Sequence, residues 1–257
     1  MAKDKEERTP KSSKATSGQE TKEESTKPEV SGKFNDFIKK IESHCDSEAL
    51  CINETTYTYS QLIERIYYFT NELQNIDSGS VVSLISDYSF DAISLFLALA
   101  QKKCVIAPIV SEKTEEIRKR ESAIEPDVTI NLRSSVGSCF QNNIVSKSRH
   151  DLLDQLATNN RAGLVLFSSG STGSPKAMIH DLDNLFDSYL NKKKKTLSII
   201  VFLMFDHIGG LNTLLNSLSM GSKIIIPGSR EPEHVAELIE REKVNLLPAS
   251  PTFLNML

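Results

Sequence analysis

Gly163-Leu164-Val165-Leu166-Phe167 runs directly into Ser168-Ser169-Gly170-Ser171-Thr172-Gly173-Ser174-Pro175-Lys176. The apolar run has the length of a buried strand. A turn of hydroxyls and glycines succeeds it, closed by a proline and a lysine. Such a loop presents backbone N–H groups and hydroxyls to phosphate oxygens, and its glycines permit close approach. Lys176 adds a mobile positive charge with three donors, suited to a triphosphate. A Walker A loop needs glycine, four residues and then Gly-Lys-Ser/Thr. Here Pro175 precedes Lys176 and Ala177 comes after it, so that pattern fails. Read blandly, the same residues make a Ser/Gly-rich surface turn with no chemistry.

Outward from this loop the chain alternates between short apolar strands and amphipathic helices. Upstream, strands at Val81–Ile85, Val105–Ile109 and Val128–Asn131 are separated by helices over 90–100 and 112–122. Downstream, Asp181 or Asp183 caps a helix carrying Leu185, Phe186, Tyr189 and Leu190. The near-continuous apolar run 197–204 reads as a parallel strand buried on both faces. A helix through Leu218, a strand over 223–227, a helix over Pro232–Arg241 and a strand over 244–247 complete the series. This order predicts an α/β fold of layered, mostly parallel sheets flanked by helices.

Nearer the start, Phe34, Phe37, Ile38 and Ile41 share one helical face. A strand over 49–52, a turn at Asn53-Glu54 and Tyr57-Thr58-Tyr59 suggest a hairpin. Ser60 can cap the next helix, which carries Leu62, Ile63, Ile66, Phe69 and Leu73. Residues 134–149 are polar and aperiodic, an irregular connection, and 151–156 make a short helix before the central strand.

Composition bounds the function. A net charge of −4 with 39% hydrophobic residues over 257 positions is an ordinary globular balance without a nucleic-acid footprint. No apolar stretch is long enough to span a bilayer. The first residues lack the apolar core of a secretory signal, and their acidic side chains argue against a transit peptide. Cys45, Cys51, Cys104 and Cys139 show no CxxC pair and no metal spacing, and read as reduced thiols in a cytoplasmic protein. Residues 1–33 are a Lys/Glu/Ser/Thr-rich tail, expected to be disordered because it is too poor in apolar side chains to offset its ordering entropy. Residues 34–257 form the folded part.

The Ser168–Lys176 loop resembles the signature of the adenylate-forming (AMP-binding) superfamily, S/T-S-G-S/T-T-G-x-P-K-G, departing only at Ala177. The resemblance extends from about residue 34 onward. It takes in the Thr58-Tyr59 hairpin and helix, the proline turn at Ala107-Pro108-Ile109, and Phe205-Asp206-His207-Ile208-Gly209-Gly210. This last stretch is similar to the F-H-x-x-G motif of acyl- and aryl-CoA ligases, with Asp206 where the family usually has an aromatic residue. Asn184-Leu185 matches the end of a His-x-Asn-Leu sequence, but Leu182 takes the histidine position and His180 lies two residues earlier. His180 itself reads as a structural or surface histidine.

The resemblance implies ATP-dependent activation of a small-molecule carboxylic acid. An acyl-adenylate forms, and a thiol then takes the acyl group, preferably that of CoA and otherwise a carrier protein's phosphopantetheine. It implies that Ser168, Ser169, Gly170, Ser171, Thr172, Gly173 and Lys176 hold the β,γ-phosphates. His207, with Gly209 and Gly210, would border the carboxylate pocket. The family's Tyr-Gly-x-Thr-Glu motif, which contacts adenine, phosphate and Mg2+, is absent, as are a ribose-binding aspartate and a C-terminal-domain lysine. The Mg2+ ligands are therefore expected outside this chain. Residues 34–257 are expected to be an incomplete amino-terminal adenylation domain, inactive alone. The alternative is a non-catalytic nucleotide-binding or interaction module that kept the fold.

Overall fold

The computed structural model describes residues 32–133, 139–143, 150–168 and 175–257. Helix α1 (Lys33–Glu42) buries Phe34, Phe37, Ile38 and Ile41, the face its spacing marks. A hairpin comes next, β1 (Glu48–Ile52) and β2 (Thr55–Thr58), paired antiparallel. Its turn residues Asn53 and Glu54 both have positive φ, 48° and 66°, the conformation that matches a two-residue turn to strand twist. Helix α2 (Tyr59–Glu72) is opened by Thr58 rather than Ser60. Thr58 Oγ1 accepts the Gln61 N–H at 3.2 Å and Gln61 Oε1 accepts the Thr58 N–H at 2.8 Å. This reciprocal pair satisfies two donors at once, and Ser60 already lies inside the helix.

The chain continues through β3 (Val81–Ile85), α3 (Phe90–Gln101), β4 (Val105–Ile109), α4 (Thr114–Ile124), β5 (Val128–Asn131) and β6 (Cys139–Asn142). Next come α5 (Asp151–Thr158), β7 (Gly163–Ser168), β8 (Lys176–Asp181), α6 (Leu182–Leu190) and β9 (Ser198–Ile200). The series closes with α7 (Ile208–Met220), β10 (Lys223–Ile226), α8 (Pro232–Arg241) and α9 (Pro251–Leu254). One sheet has the order β2-β1-β10-β9 and the other β6-β5-β3-β4-β7-β8. All neighbours are parallel except the outer strands β2, β6 and β8. The expected α/β fold of mostly parallel sheets flanked by helices is what forms.

Strand periodicity sends alternate side chains to opposite faces, and this sorts the layers. Leu50, Ile52, Ile224 and Ile226 of the first sheet share a core with Val82, Leu84, Ile106, Leu164 and Leu166 of the second. Helices α1, α2, α3, α6 and α7 contribute to the same cluster. On the far face of the first sheet, Cys51, Ile200 and Ile225 pack on Val235 and Leu238 of α8 and Phe253 of α9. On the far face of the second, Val81, Val105, Ala107 and Val165 pack on Ile124 of α4 and Leu153 of α5. No helix among the described residues is long and apolar enough to cross a membrane.

Four segments differ from the sequence reading. The 134–149 connection contains the edge strand β6, and β8 lies where no strand is legible. The run 197–204 yields only the short β9, because the chain turns after Val201, whose N–H still bonds Ile225 O. The apolar residues beyond it serve packing, Phe205 lying against Tyr88 and Phe96. Residues 244–247 reach the sheet through a single bridge, Leu246 to Ile199.

Two buried polar groups brace the helical layer. Lys103 and Asp183 form an ion pair of 2.9 Å with side chains 9% and 7% exposed, and Asp183 also accepts the Ala162 N–H at 3.1 Å. Asp181 rather than Asp183 caps α6, which frees Asp183 for this contact. His44 lies with Nε2 3.3 Å from Ser219 O, its ring edge-on to Tyr59, and Nδ1 without a partner. Burial pushes the His44 pKa below its usual 6.5; the Ser219 carbonyl opposes this, and Lys194 and Lys40 reinforce it. A depressed histidine contributes stability that is complete above the unfolded value and lost as pH falls from 6.5 through the folded one. Urea unfolding at pH 7.5 and 5.5 is expected to show a smaller acid-side loss in His44→Gln than in wild type. Equal losses in the two proteins would remove His44 from the acid response.

Candidate active site

In parallel α/β sheets ligands gather at the carboxyl ends of the strands, and the chain concentrates its polar groups at that edge. Ser168 closes β7, and β8 returns antiparallel with Lys176 opposite Ser168. The glycine- and hydroxyl-rich loop is thus the connection of a β-hairpin, with Ser168 half-buried at one foot and Lys176 exposed at the other. Ser169, Gly170, Ser171, Thr172 and Gly173 lie outside the described residues. Ser86, Asp87 and Tyr88 leave the end of β3, and Val110 and Ser111 leave the end of β4.

The two sheets meet at this edge through Arg230, which lies just beyond β10. Its Nε donates to Phe202 O at 2.8 Å, and a terminal nitrogen donates to Asp87 Oδ2 at 2.9 Å. A fork of this kind fixes two directions at once, which an ammonium does not.

The start of α7 carries the second group of expected site residues. His207 is the N-cap, and its Nδ1 accepts the Gly209 N–H at 3.1 Å. With Nδ1 as acceptor, the neutral ring keeps its proton on Nε2, and the residue is exposed. Gly210 is buried in a space that admits no side chain. A Cβ there would press into Met204 O and stand 2.6 Å from both Leu203 O and Tyr88 Oη. At Gly209 the obstacles are side-chain atoms, the end of Leu203 at 2.6 Å and His207 Nδ1 at 3.3 Å from an added Cβ. The Tyr88 hydroxyl is buried with no partner among the described residues, and burial raises its pKa well above the ordinary tyrosine value.

Asp206 faces neither His207 nor open solvent. Its Oδ2 meets an Arg120 terminal nitrogen at 2.6 Å and accepts the Val110 N–H at 3.3 Å. The Arg120 guanidinium also pairs with Glu116 at 2.6 Å and stands 5.6 Å from the centre of the Phe167 ring. Arg120 therefore touches the residue before Ser168 and the residue before His207. Nothing in the sequence pattern singles out Arg120, Asp87, Tyr88 or Arg230. Only the Glu116/Arg120 spacing on α4 is visible there, and that suggests an ordinary helix-surface pair.

His180 lies on β8 opposite Leu164, with Nε2 buried and no partner to it among the described residues. Leu182 is fully buried at the start of α6, so an apolar anchor stands where the resemblance expects a histidine.

The sequence model of the AMP-binding enzyme family matches residues 37–257. The chain is 25% identical over 229 residues to 4-coumarate–CoA ligase-like 9 of Arabidopsis thaliana, covering 77% of this chain and 41% of that protein. It is 22% identical over 232 residues to tyrocidine synthase 3 of Brevibacillus parabrevis, covering 81% of this chain and 4% of that one. The Klebsiella oxytoca NpsA N-terminal subdomain in complex with 3-hydroxybenzoyl-AMSN superposes with a TM-score of 0.67 at 21% identity, covering 83% of this chain and 58% of that one. The N-terminal domain of FACL13 from Mycobacterium tuberculosis gives 0.68 at 18% identity, covering 87% and 64%. The chain thus spans less than half the length of these two curated relatives. The likeness to the solved structures is one of fold. With the family match covering both the β7–β8 hairpin and the start of α7, the chain belongs to the AMP-binding enzyme family.

Proposed function

We propose that the protein containing this chain activates a carboxylic acid with ATP. The carboxylate oxygen attacks the α-phosphorus, the bond to the bridging oxygen breaks, and pyrophosphate leaves. A thiol then attacks the acyl carbon and gives up its proton, and AMP leaves with the carbon–oxygen electron pair. One observation carries the reading: Ser168 and Lys176 face each other at the foot of a hairpin on the strands' carboxyl edge. From there, residues Ser168 to Gly173 and Lys176 hold the β,γ-phosphates and neutralise charge gathering on the leaving pyrophosphate. His207 borders the carboxylate, with Gly209 and Gly210 keeping the first turn of α7 close.

CoA is the preferred acceptor on the strength of His207-Ile208-Gly209-Gly210 and of a relative named as CoA ligase-like. A carrier-protein phosphopantetheine is the other, since NpsA has been studied as an adenylation–PCP fusion. Magnesium accompanies ATP in this chemistry. Here Asp87 and Asp206 are each held by a guanidinium, so neither is assigned to the metal and no step is routed through it.

The test is carboxylate-dependent exchange of labelled pyrophosphate into ATP by the longest natural form of the protein, with fatty, aryl and amino acids. Lys176→Ala is expected to lower exchange about 100-fold or more, the scale of removing one preorganised charge-stabilising donor. Normal exchange in that variant would overturn the assignment. ATP binding without exchange on any acid would favour the non-catalytic nucleotide-binding module, to which the buried Leu182 at the histidine position already points.

A further inference from the structure

The residue that departs most from the expected motif is Asp206, and the structure supplies its partner. The Arg120 and Asp206 side chains are 16% and 11% exposed and meet at 2.6 Å. Charge-assisted contacts removed from water are short and direction-specific. Asp206 is held from a second side by the Val110 N–H at the end of β4. The carbonyl of Val110 in turn accepts from the Arg133 guanidinium. Arg120 is held from its own helix by Glu116, which is tied to Ser111 at 2.7 Å. Its remaining surface faces Phe167, whose chain neighbour Ser168 begins the phosphate loop.

We propose that Arg120 is a positioning residue that sets the first turn of α7, and with it His207, against the foot of the 168–176 hairpin. The proposal rests on the carboxylate-activating reading for what the two segments hold. In that reaction the acid's oxygen must meet the α-phosphorus in line, while the β,γ-phosphates stay fixed in the loop. Misplacement by about 1 Å far from the reacting atoms costs on the order of 100-fold in rate. A planar fork wedged between a carboxylate and an aromatic ring holds such a distance, and a lysine at the same place makes a point contact only. The Arg120–Asp206 pair also gives a use to the aspartate that stands where the family usually has an aromatic residue: it clamps the segment before α7 to α4.

The experiment uses the full-length protein and the variants Arg120→Met, Arg120→Lys, Asp206→Asn, Arg120→Met/Asp206→Asn and Lys119→Gln. Lys119 lies next to Arg120 on α4 and pairs only at the exposed surface with Glu115. In pyrophosphate exchange, Arg120→Met and Asp206→Asn are each expected to lower kcat about 30-fold while KM for ATP stays within about threefold. The double variant should fall no further than the worse single one, because both remove the same contact. Arg120→Lys should recover part of the rate, and Lys119→Gln should match wild type. Multiplying losses in the double variant, or wild-type kcat in a folded Arg120→Met protein, would overturn the proposal. If Arg120→Met fails to fold, the Arg120→Lys and Asp206→Asn pair carries the same comparison.

Hydrogen exchange supplies a readout independent of turnover. ATP is expected to protect residues 205–211 in wild type, and Arg120→Met should lose that protection while still binding ATP. Retained protection would overturn the proposal even if exchange activity fell. If wild type binds ATP but exchanges with no acid, the catalytic reading fails, and the protection experiment still decides whether Arg120 couples the two segments. If wild type does not bind ATP, both fall together.

Discussion

Asp183→Ala is expected to remove about 3–5 kcal/mol of stability, the cost of leaving a buried charge without its partner. The Lys103 ammonium has Asp183 as its buried counter-charge at 2.9 Å, with the two side chains only 9% and 7% exposed. The loss exceeds that of the pair alone, because Asp183 also accepts the Ala162 N–H just ahead of β7, and an unmet buried donor adds to the cost. Lys103→Met should be comparably harmful for the mirror-image reason. Joining the two as Lys103→Met/Asp183→Leu should recover much of the loss, since apolar groups of similar volume often replace a buried pair at little cost. The orphaned Ala162 N–H keeps the recovery incomplete. Urea unfolding checks this: the midpoint should move with the slope unchanged. A shift of less than about 1 kcal/mol in the single variant, the scale of a solvated surface pair, would show that the site admits water.

Gly210→Ala is expected to cost about 2 kcal/mol and to take carboxylate activation with it. The added carbon would press into Met204 O and stand 2.6 Å from Leu203 O, and backbone carbonyls do not swing aside as side chains do. Overpacking of this kind costs about 1–3 kcal/mol and occasionally more, against a gain of roughly 1 kcal/mol from alanine's better helix propensity. The first turn of α7 must therefore shift, and His207 shifts with it. Gly209→Ala serves as the comparison, because the atoms in its way belong to side chains, the end of Leu203 at 2.6 Å and the His207 ring at 3.3 Å, and no backbone carbonyl has to move; its cost should stay below about 1 kcal/mol. Tyr88→Phe should not rescue Gly210→Ala, since the carbonyls remain, and alone it should be neutral or slightly stabilising because its hydroxyl has no partner to lose. Equal stability in the two alanine variants would mean that the turn is looser than its geometry.

The parts of the fold legible in the sequence are those whose burial leaves a regular apolar pattern, a near-continuous run for β3 and β4 and a helical face for α1. Val81–Ile85 and Val105–Ile109 are readable with their observed ends, because every residue in them is buried and only the small Ser83 interrupts the apolar runs. Lys176-Ala177-Met178-Ile179-His180-Asp181 is not, because an edge strand facing solvent on its outer half needs no such run. The overlong strand expected at 197–204 has the same root: hydrophobicity there reports the packing of Phe205 and the turn into α7, not pairing. In the site, His207 and the two glycines are readable because their roles are local, a cap and a close approach. Arg120 is not, because its meaning depends on where α4 lies relative to α7, and no short window of sequence holds that distance.

The route of the chain has a consequence for synthesis. Strand β1 emerges early, yet its parallel neighbour is β10, with Leu50 facing Ile224, and the entire second sheet is made in between. Leu50–Ile52 therefore keeps a bare edge until residues 224–226 have been made, and pairings of such sequence separation form slowly. An exposed edge invites wrong partners while it waits. The β1–β2 hairpin has this edge covered only when Lys223–Ile226 slides between it and β9.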